Sequence, residues 1–148
     1  RWVVAAYEKQ NIFFDEVCLL MATAPLITSN DLLAAHSTFL KRDMCLPLLS
    51  VTPFPAPIER AMGINDNHIL CFKDPSHKTA HSQHLSKNYF DAGAFAFFTK
   101  AQITNSDEAV YSEYIPYVLP KYKAVDINDP DDLTLAKLLY LGTLNSAT

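Results

Sequence analysis

The stretch Lys123-Ala-Val-Asp-Ile-Asn-Asp-Pro-Asp-Asp-Leu-Thr-Leu-Ala-Lys-Leu-Leu-Tyr140 reads as the end of a buried strand running into a helix. Val125 and Ile127 are β-branched, Asp129 can cap the helix, and Pro130 suits its first position. Asp131 and Asp132 then fall in the first turn, where carboxylates meet the positive end of the helix dipole. That leaves Asp126 and Asn128, two positions apart at a strand end. In open α/β sheets ligands gather at the carboxyl ends of strands. A carboxylate and an amide oxygen there can hold a Mg²⁺ that carries nucleotide phosphates. The alternative is that Asp126 only hydrogen-bonds its own loop.

The composition suits one soluble domain with a proper core. The chain has 148 residues, 49% hydrophobic and 19% charged, too apolar for disorder. A net charge of −4 argues against a nucleic-acid partner, and no apolar run reaches the ~20 residues of a membrane span. Cys18, Cys45 and Cys71 are an odd number in apolar surroundings, so reduced, buried thiols in a cytoplasmic protein are expected. Only Gly63, Gly93 and Gly142 occur, so there is no glycine-rich phosphate loop.

Outward from the opening stretch, the remaining segments alternate strand and helix. Residues 1–10 read as a helix with Trp2, Ala5 and Ala6 inward. Residues 16–22 are a nearly continuous apolar run, expected to be a central parallel strand buried on both faces. Thr28 and Asp31 form a capping box before a helix whose stripe is Leu32, Leu33, His36, Phe39 and Leu40. His36 reads there as a packed core histidine. Residues 45–52 are the next strand, with Pro47 at its start or on an edge. Residues 64–73 look like a hairpin around Asn65-Asp-Asn67.

The segment 74–88 is polar. The spacing of His77 and His81 suits one helix face, and His84 follows. Without a cysteine pair or a metalloprotease pattern, a solvated arm is the better account than zinc. Residues 89–99 read as a buried aromatic strand in which Gly93 permits close approach. Residues 101–114 are a helix and loop, and residues 115–126 run along an edge. The last helix is expected over 130–141, stopped by Gly142. The expected architecture is therefore α/β with a mainly parallel sheet, one domain over 1–148.

Five blocks carry a resemblance to a known family. Leu20-Met-Ala-Thr-Ala-Pro-Leu26 resembles the Q-P-T-S-P-L or Y-A-T-A-P-F loop of the acylneuraminate cytidylyltransferases, the CMP-sialic acid synthetases. Pro53-Phe-Pro-Ala-Pro-Ile-Glu-Arg-Ala61 is similar to F-P-x-P-I-Q-R-A. Thr79-Ala-His-Ser-Gln-His-Leu85 resembles T-R-S-Q-D-L. Asn88-Tyr-Phe-Asp-Ala-Gly-Ala-Phe95 resembles Y-x-D-A-G-Q-F. Residues 115–128 resemble I-P-x-x-L-P-R-x-x-x-x-D-I-D. The forms of the second and fourth blocks favour the pseudaminic acid branch.

The resemblance implies a three-layer nucleotide-diphosphosugar-transferase-like fold, lacking its first βα unit in this chain. It implies transfer of CMP from CTP to a nonulosonic acid, with Mg²⁺, in a homodimer whose arm covers about 65–90. It further implies Asp126 as catalytic metal ligand with Asn128 in the place of a second carboxylate. Thr23, Ala24, Arg60, His81, Gln83, Asp91, Ala92 and Gly93 match substrate-binding positions, with His81 standing for an arginine and Met21 for a polar residue. The family's phosphate loop lies before these blocks, so the chain reads as amino-terminally truncated and is expected to be inactive alone. A degenerate, non-catalytic homologue that keeps only fold and dimer surface is the alternative, and an unrelated nucleotide-binding module is a more distant one.

Overall fold

Tyr89–Thr99 (β5) is the strand around which the sheet is built. In the computed structural model, which describes residues 1–77, 85–105 and 112–145, it pairs on one side with Glu16–Leu20 (β1) and on the other with Leu48–Pro53 (β2). Ile115–Val118 (β6) follows, giving the order β1-β5-β2-β6. The helices are Trp2–Glu8 (α1), Ser29–Lys41 (α2), Lys100–Asn105 (α3) and Pro130–Asn145 (α4). Met62–Ile64 (β3) and Leu70–Phe72 (β4) form the expected hairpin as a separate two-stranded sheet.

The α/β class holds, but the sheet is not mainly parallel. Among the described residues β2 with β6 is its one parallel pair, and β5 is antiparallel to both neighbours. The physical reason is connectivity. An antiparallel neighbour can be reached without a crossover, whereas a parallel one needs a connection that returns the chain to the same end. β1 is likewise not central. It has one neighbour and leaves Leu19 and Leu20 54% and 52% exposed.

The core lies between α2 and the sheet. Ala35 and Phe39 of α2 meet Leu48, Phe97, Ile115 and Leu119. Full burial of a side chain such as Phe39 contributes about 1.5–3 kcal/mol. The buried stripe of α2 is Asp31, Ala35 and Phe39, spaced four apart; Leu33 and Leu40 face outward, contrary to the expected stripe. His36 is half-buried, 2.5 Å from Glu16 Oε2 and tilted over Phe97, so it is a rim residue hydrogen-bonded to that carboxylate.

Other expectations shift too. α1 buries Val4, while Trp2 is 82% exposed. The three cysteines are exposed, because they sit on an edge strand, before β2 and in the hairpin. Partial desolvation still pushes the Cys18 thiol up from its ordinary value. α4 runs through Gly142 to Asn145, where open space around that residue imposes no stop. Residues 124–128 are irregular and not strand; only Val125 there is buried. Asp129 does cap α4: its Oδ1 accepts the amides of Asp131 (2.8 Å) and Asp132 (2.9 Å).

β5 carries a large irregularity. Leu49 pairs with Ala96 but Val51 pairs with Asp91, so residues 92–95 stand opposite Ser50 alone. Gly93 takes φ of +60°, a left-handed conformation that glycine adopts without a β-carbon clash. The amide of Phe95, displaced from the ladder, donates to Oγ of buried Ser50 at 2.9 Å. A side-chain hydroxyl thus replaces a backbone acceptor where a buried N–H cannot go unpaired.

Candidate functional site

β1 and β2 both oppose β5, and β6 parallels β2, so β1, β2 and β6 share one direction. Their carboxyl ends therefore lie along one margin of the sheet, with the first half of β5. Thr23 and Ala24 follow β1, Arg60 follows β2, and residues 121–128 follow β6. Asp91 and Gly93 lie at the bulge of β5 on the same margin.

Asp126 sits on the bulge. A β-carbon at Gly93 would stand 2.8 Å from Asp126 Oδ2 and 2.9 Å from its carboxyl carbon. Gly93 is thus required twice, for its positive φ and for the space that the carboxylate fills. Asp91 turns the chain locally: its Oδ1 accepts the Gly93 amide at 2.9 Å. Asp126 is half-buried, and Asn128, which is exposed, donates from Nδ2 to Asp126 Oδ2 (3.2 Å) and to the Asp126 carbonyl (3.3 Å). The main-chain amide of Asn128 is held by Asp132 Oδ2 at 3.0 Å.

The loop after β1 is tied to this segment. The Ile127 amide donates to the Thr23 carbonyl at 2.9 Å. Leu26 packs with Val125 and Ala136. Ala24 and Ala92 are buried in one core cluster. Arg60 ends a 3₁₀ turn, is exposed, and makes no side-chain hydrogen bond or ion pair among the described residues. His81, His84 and Gln83 lie outside the described residues.

A cleft of about 550 Å³ opens at the same margin, lined by Phe54, Pro55, Asn88, Tyr89, Lys87 and Lys121 among others. Its volume falls in the range of small-molecule sites. Its two lysines suit an acidic ligand. Neither they nor Ser50 stand out in the sequence, since a surface lysine and a strand serine are commonplace.

The pair Asp31 and Lys123 also escapes sequence reading. Asp31 is the expected capping-box residue: its Oδ2 accepts from the Thr28 amide (2.9 Å) and hydroxyl (2.6 Å). Lys123 Nζ donates to both of its oxygens, at 2.8 and 2.7 Å. Burial alone pushes the Asp31 carboxyl up. Hydrogen bonds from Lys123 and Thr28, with the lysine's charge, outweigh burial and hold it below the ordinary value. Burial and then the Asp31 charge raise the nearby Tyr117 hydroxyl, with Lys123 opposing.

No group of three or more His, Cys, Asp or Glu side chains able to hold a metal is found among the described residues. That rules against an all-protein cage there. A Mg²⁺ that keeps waters needs only one or two side-chain oxygens plus phosphates. Asp126 fits such a role. Asn128 turns its amide nitrogen toward Asp126, so it would have to flip to offer its oxygen.

The fold and site define an α/β domain with a half-buried carboxylate, Asp126, held at the carboxyl margin of three like-directed strands. No family model matches the chain. Over 140 residues it is 38% identical to a pseudaminic acid cytidylyltransferase of Campylobacter jejuni subsp. jejuni serotype O:23/36 (strain 81-176). It is 37% identical to the protein of that name from serotype O:2 (strain ATCC 700819 / NCTC 11168). Each match covers 95% of this chain and 60% of the relative, so the chain spans about 60% of the length of the curated relatives it matches. By sequence the chain is a relative of the pseudaminic acid cytidylyltransferases, as its motifs suggest.

Proposed function

We propose that the protein carrying these residues transfers CMP from CTP to a nonulosonic acid of the pseudaminic type. The sugar's anomeric hydroxyl oxygen forms a bond to the α-phosphorus. The bond from that phosphorus to the β-phosphate oxygen breaks, releasing pyrophosphate, and the hydroxyl proton is lost to solvent or base. The observation that carries the reading is the seat of Asp126 on Gly93, within a sequence similar to named cytidylyltransferases. Mg²⁺, when bound, supplies charge neutralisation on the triphosphate. Asp126 would hold it, with Asn128 as a weaker neutral donor.

The other residues position and neutralise. Thr23, tied to Ile127, holds the loop after β1 beside Asp126. Lys87 and Lys121 give the cleft a positive wall for the sugar's carboxylate. Asp91 supports the bulge. Arg60, His81 and Gln83 would complete the substrate surface. The nucleotide-diphosphosugar-transferase-like fold belongs to the same proposal, and the unpaired side of β1 has room for a further strand of it. A homodimer through the arm at 65–90 is supported by the hairpin, which leaves Ile64 71% and Leu70 62% exposed.

The amide that Asn128 turns toward Asp126 favours a second reading, a homologue that has lost turnover. One assay separates the two. The full natural chain is incubated with CTP, Mg²⁺ and pseudaminic acid, and pyrophosphate release and CMP-sugar formation are followed. Turnover that disappears in Asp126→Ala supports the transferase. No turnover, even with Asn128→Asp and His81→Arg, supports the degenerate homologue.

A further inference from the structure

Residues 123–127 have no strand partner among the described residues, yet they carry the carboxylate on which the proposed reaction depends. Three contacts of different chemistry strap them to the loop after β1 and the first turn of α2. At one end the Ile127 amide meets the Thr23 carbonyl at 2.9 Å. In the middle Val125 packs with Leu26 and Ala136. At the other end Lys123 Nζ grips both oxygens of Asp31, at 2.8 and 2.7 Å. The pairings 23 with 127, 26 with 125, and 31 with 123 run in opposite order, like an antiparallel ladder without a sheet.

We infer that the Lys123–Asp31 ion pair is a positioning latch that fixes the loop bearing Thr23 and Ala24 against the segment bearing Asp126. The inference rests on the transferase reading of that segment. Asp31 is suited to the task. One buried carboxylate caps α2, receives the amide and hydroxyl of Thr28, and still receives the lysine. It thereby joins the end of the β1 loop, the start of α2 and the approach to Asp126 at one point. Lys123 lies only three residues before Asp126, so little chain remains to absorb a displacement. The lysine's charge is spent on Asp31, and its side chain is mostly covered, so its place is behind the site and not among the phosphates. The backbone bond at Thr23 cannot do this alone, since a single hydrogen bond leaves the segment free to pivot.

The test uses the full natural chain and two variants, Lys123→Met and Lys123→Arg. The methionine keeps the packing of the lysine stem. Two readouts are taken: kcat and KM for CTP, and amide hydrogen exchange at Ile127 in the absence of substrate. Lys123→Met is expected to lower kcat about 10- to 100-fold, the size of effect that a small misplacement produces. KM for CTP should change less than about threefold, because the lysine does not touch the nucleotide. Ile127 should exchange at least about tenfold faster, while amides of β5 stay protected. Lys123→Arg, which keeps the charge and can still donate to Asp31, should restore part of both.

Unchanged exchange at Ile127 in Lys123→Met would overturn the latch. So would a loss of turnover that appears in KM alone, the mark of a ligand contact. If the wild-type chain makes no CMP-sugar, the failure belongs to the reading of the reaction. The exchange of Ile127 still decides whether the latch holds that segment.

Discussion

Gly93 and Asp126 form one unit: the carboxylate oxygen of Asp126 lies where a side chain at Gly93 would begin, 2.8 Å from the position of its β-carbon. Gly93→Ala should therefore do two things. It forces a left-handed residue to carry a β-carbon, a strain of about 1–2 kcal/mol. It also pushes Asp126 off its seat. The expected outcome is a modest drop in the urea midpoint with a loss of CMP-sugar formation of about 100-fold or more. Full turnover in a folded Gly93→Ala protein would separate the glycine from the site.

Ser50 repairs the same bulge from the β2 side. Ser50→Ala strands the buried Phe95 amide, which now donates to its hydroxyl at 2.9 Å. The cost expected for an unsatisfied buried N–H is about 1–3 kcal/mol. Equilibrium urea denaturation measures it directly. A change below about 0.5 kcal/mol would mean that the strand closes without the hydroxyl.

Asn128→Asp restores a second carboxylate two residues from Asp126. The Mg²⁺ concentration giving half-maximal pyrophosphate release should fall about tenfold, since an added carboxylate strengthens a hard-cation site. Binding of Mn²⁺, followed by its spin-resonance signal, supplies the same reading without turnover. Equal or weaker affinity would place the metal elsewhere.

The Asp31 carboxyl is held below its ordinary value of 3.8 in the folded chain, because hydrogen bonds from Lys123 and Thr28 overcome its burial. The folded form thus releases this proton more readily than the unfolded form. Its contribution to stability is full above that ordinary value and is lost as pH falls through the lowered one. Thermal melts of wild type and Asp31→Asn should run parallel from neutral pH down to about 4, the variant lower throughout. Below that the gap should close. A gap that widens on acidification would contradict this sign.

The β3–β4 hairpin exposes apolar side chains that a two-stranded ribbon cannot bury alone. Replacing Ile64 and Leu70 together by lysine should shift the proposed dimer to monomer in sedimentation, by seating charge in its proposed apolar interface. The far-ultraviolet spectrum should remain, since the hairpin stands apart from the main sheet. An unchanged dimer would move the interface away from the hairpin.

Much of this fold is legible in the chain. The aromatic alternation of Tyr89–Thr99 marks β5 over its full length, and Asp129-Pro130 marks the start of α4. Strand direction is not legible, because periodicity records which faces are buried and says nothing of a neighbour's sense. An apolar run such as Val17-Cys-Leu-Leu20 looks the same in the centre of a sheet as at its edge. The candidate site divides in the same way. Asp126 and Gly93 stand out through their motifs, yet the contact between them arises from a bulge that no local pattern announces. Ala24 and Ala92 fall within matched motifs but pack into the core. The pairing of Lys123 with Asp31 joins residues 92 positions apart, beyond the reach of spacing.

The outer side of β1 has a further consequence for anyone handling these 148 residues by themselves. Among the described residues its backbone groups on that side have no sheet partner, and Leu19 and Leu20 stand open beside them. The one charge in the strand, Glu16, is already engaged by His36. Neither lysine nor proline guards the edge, which are the usual defences against edge-to-edge pairing. Concentrated alone, the polypeptide should recruit its own copies through this strand and come out of solution as β-rich aggregate.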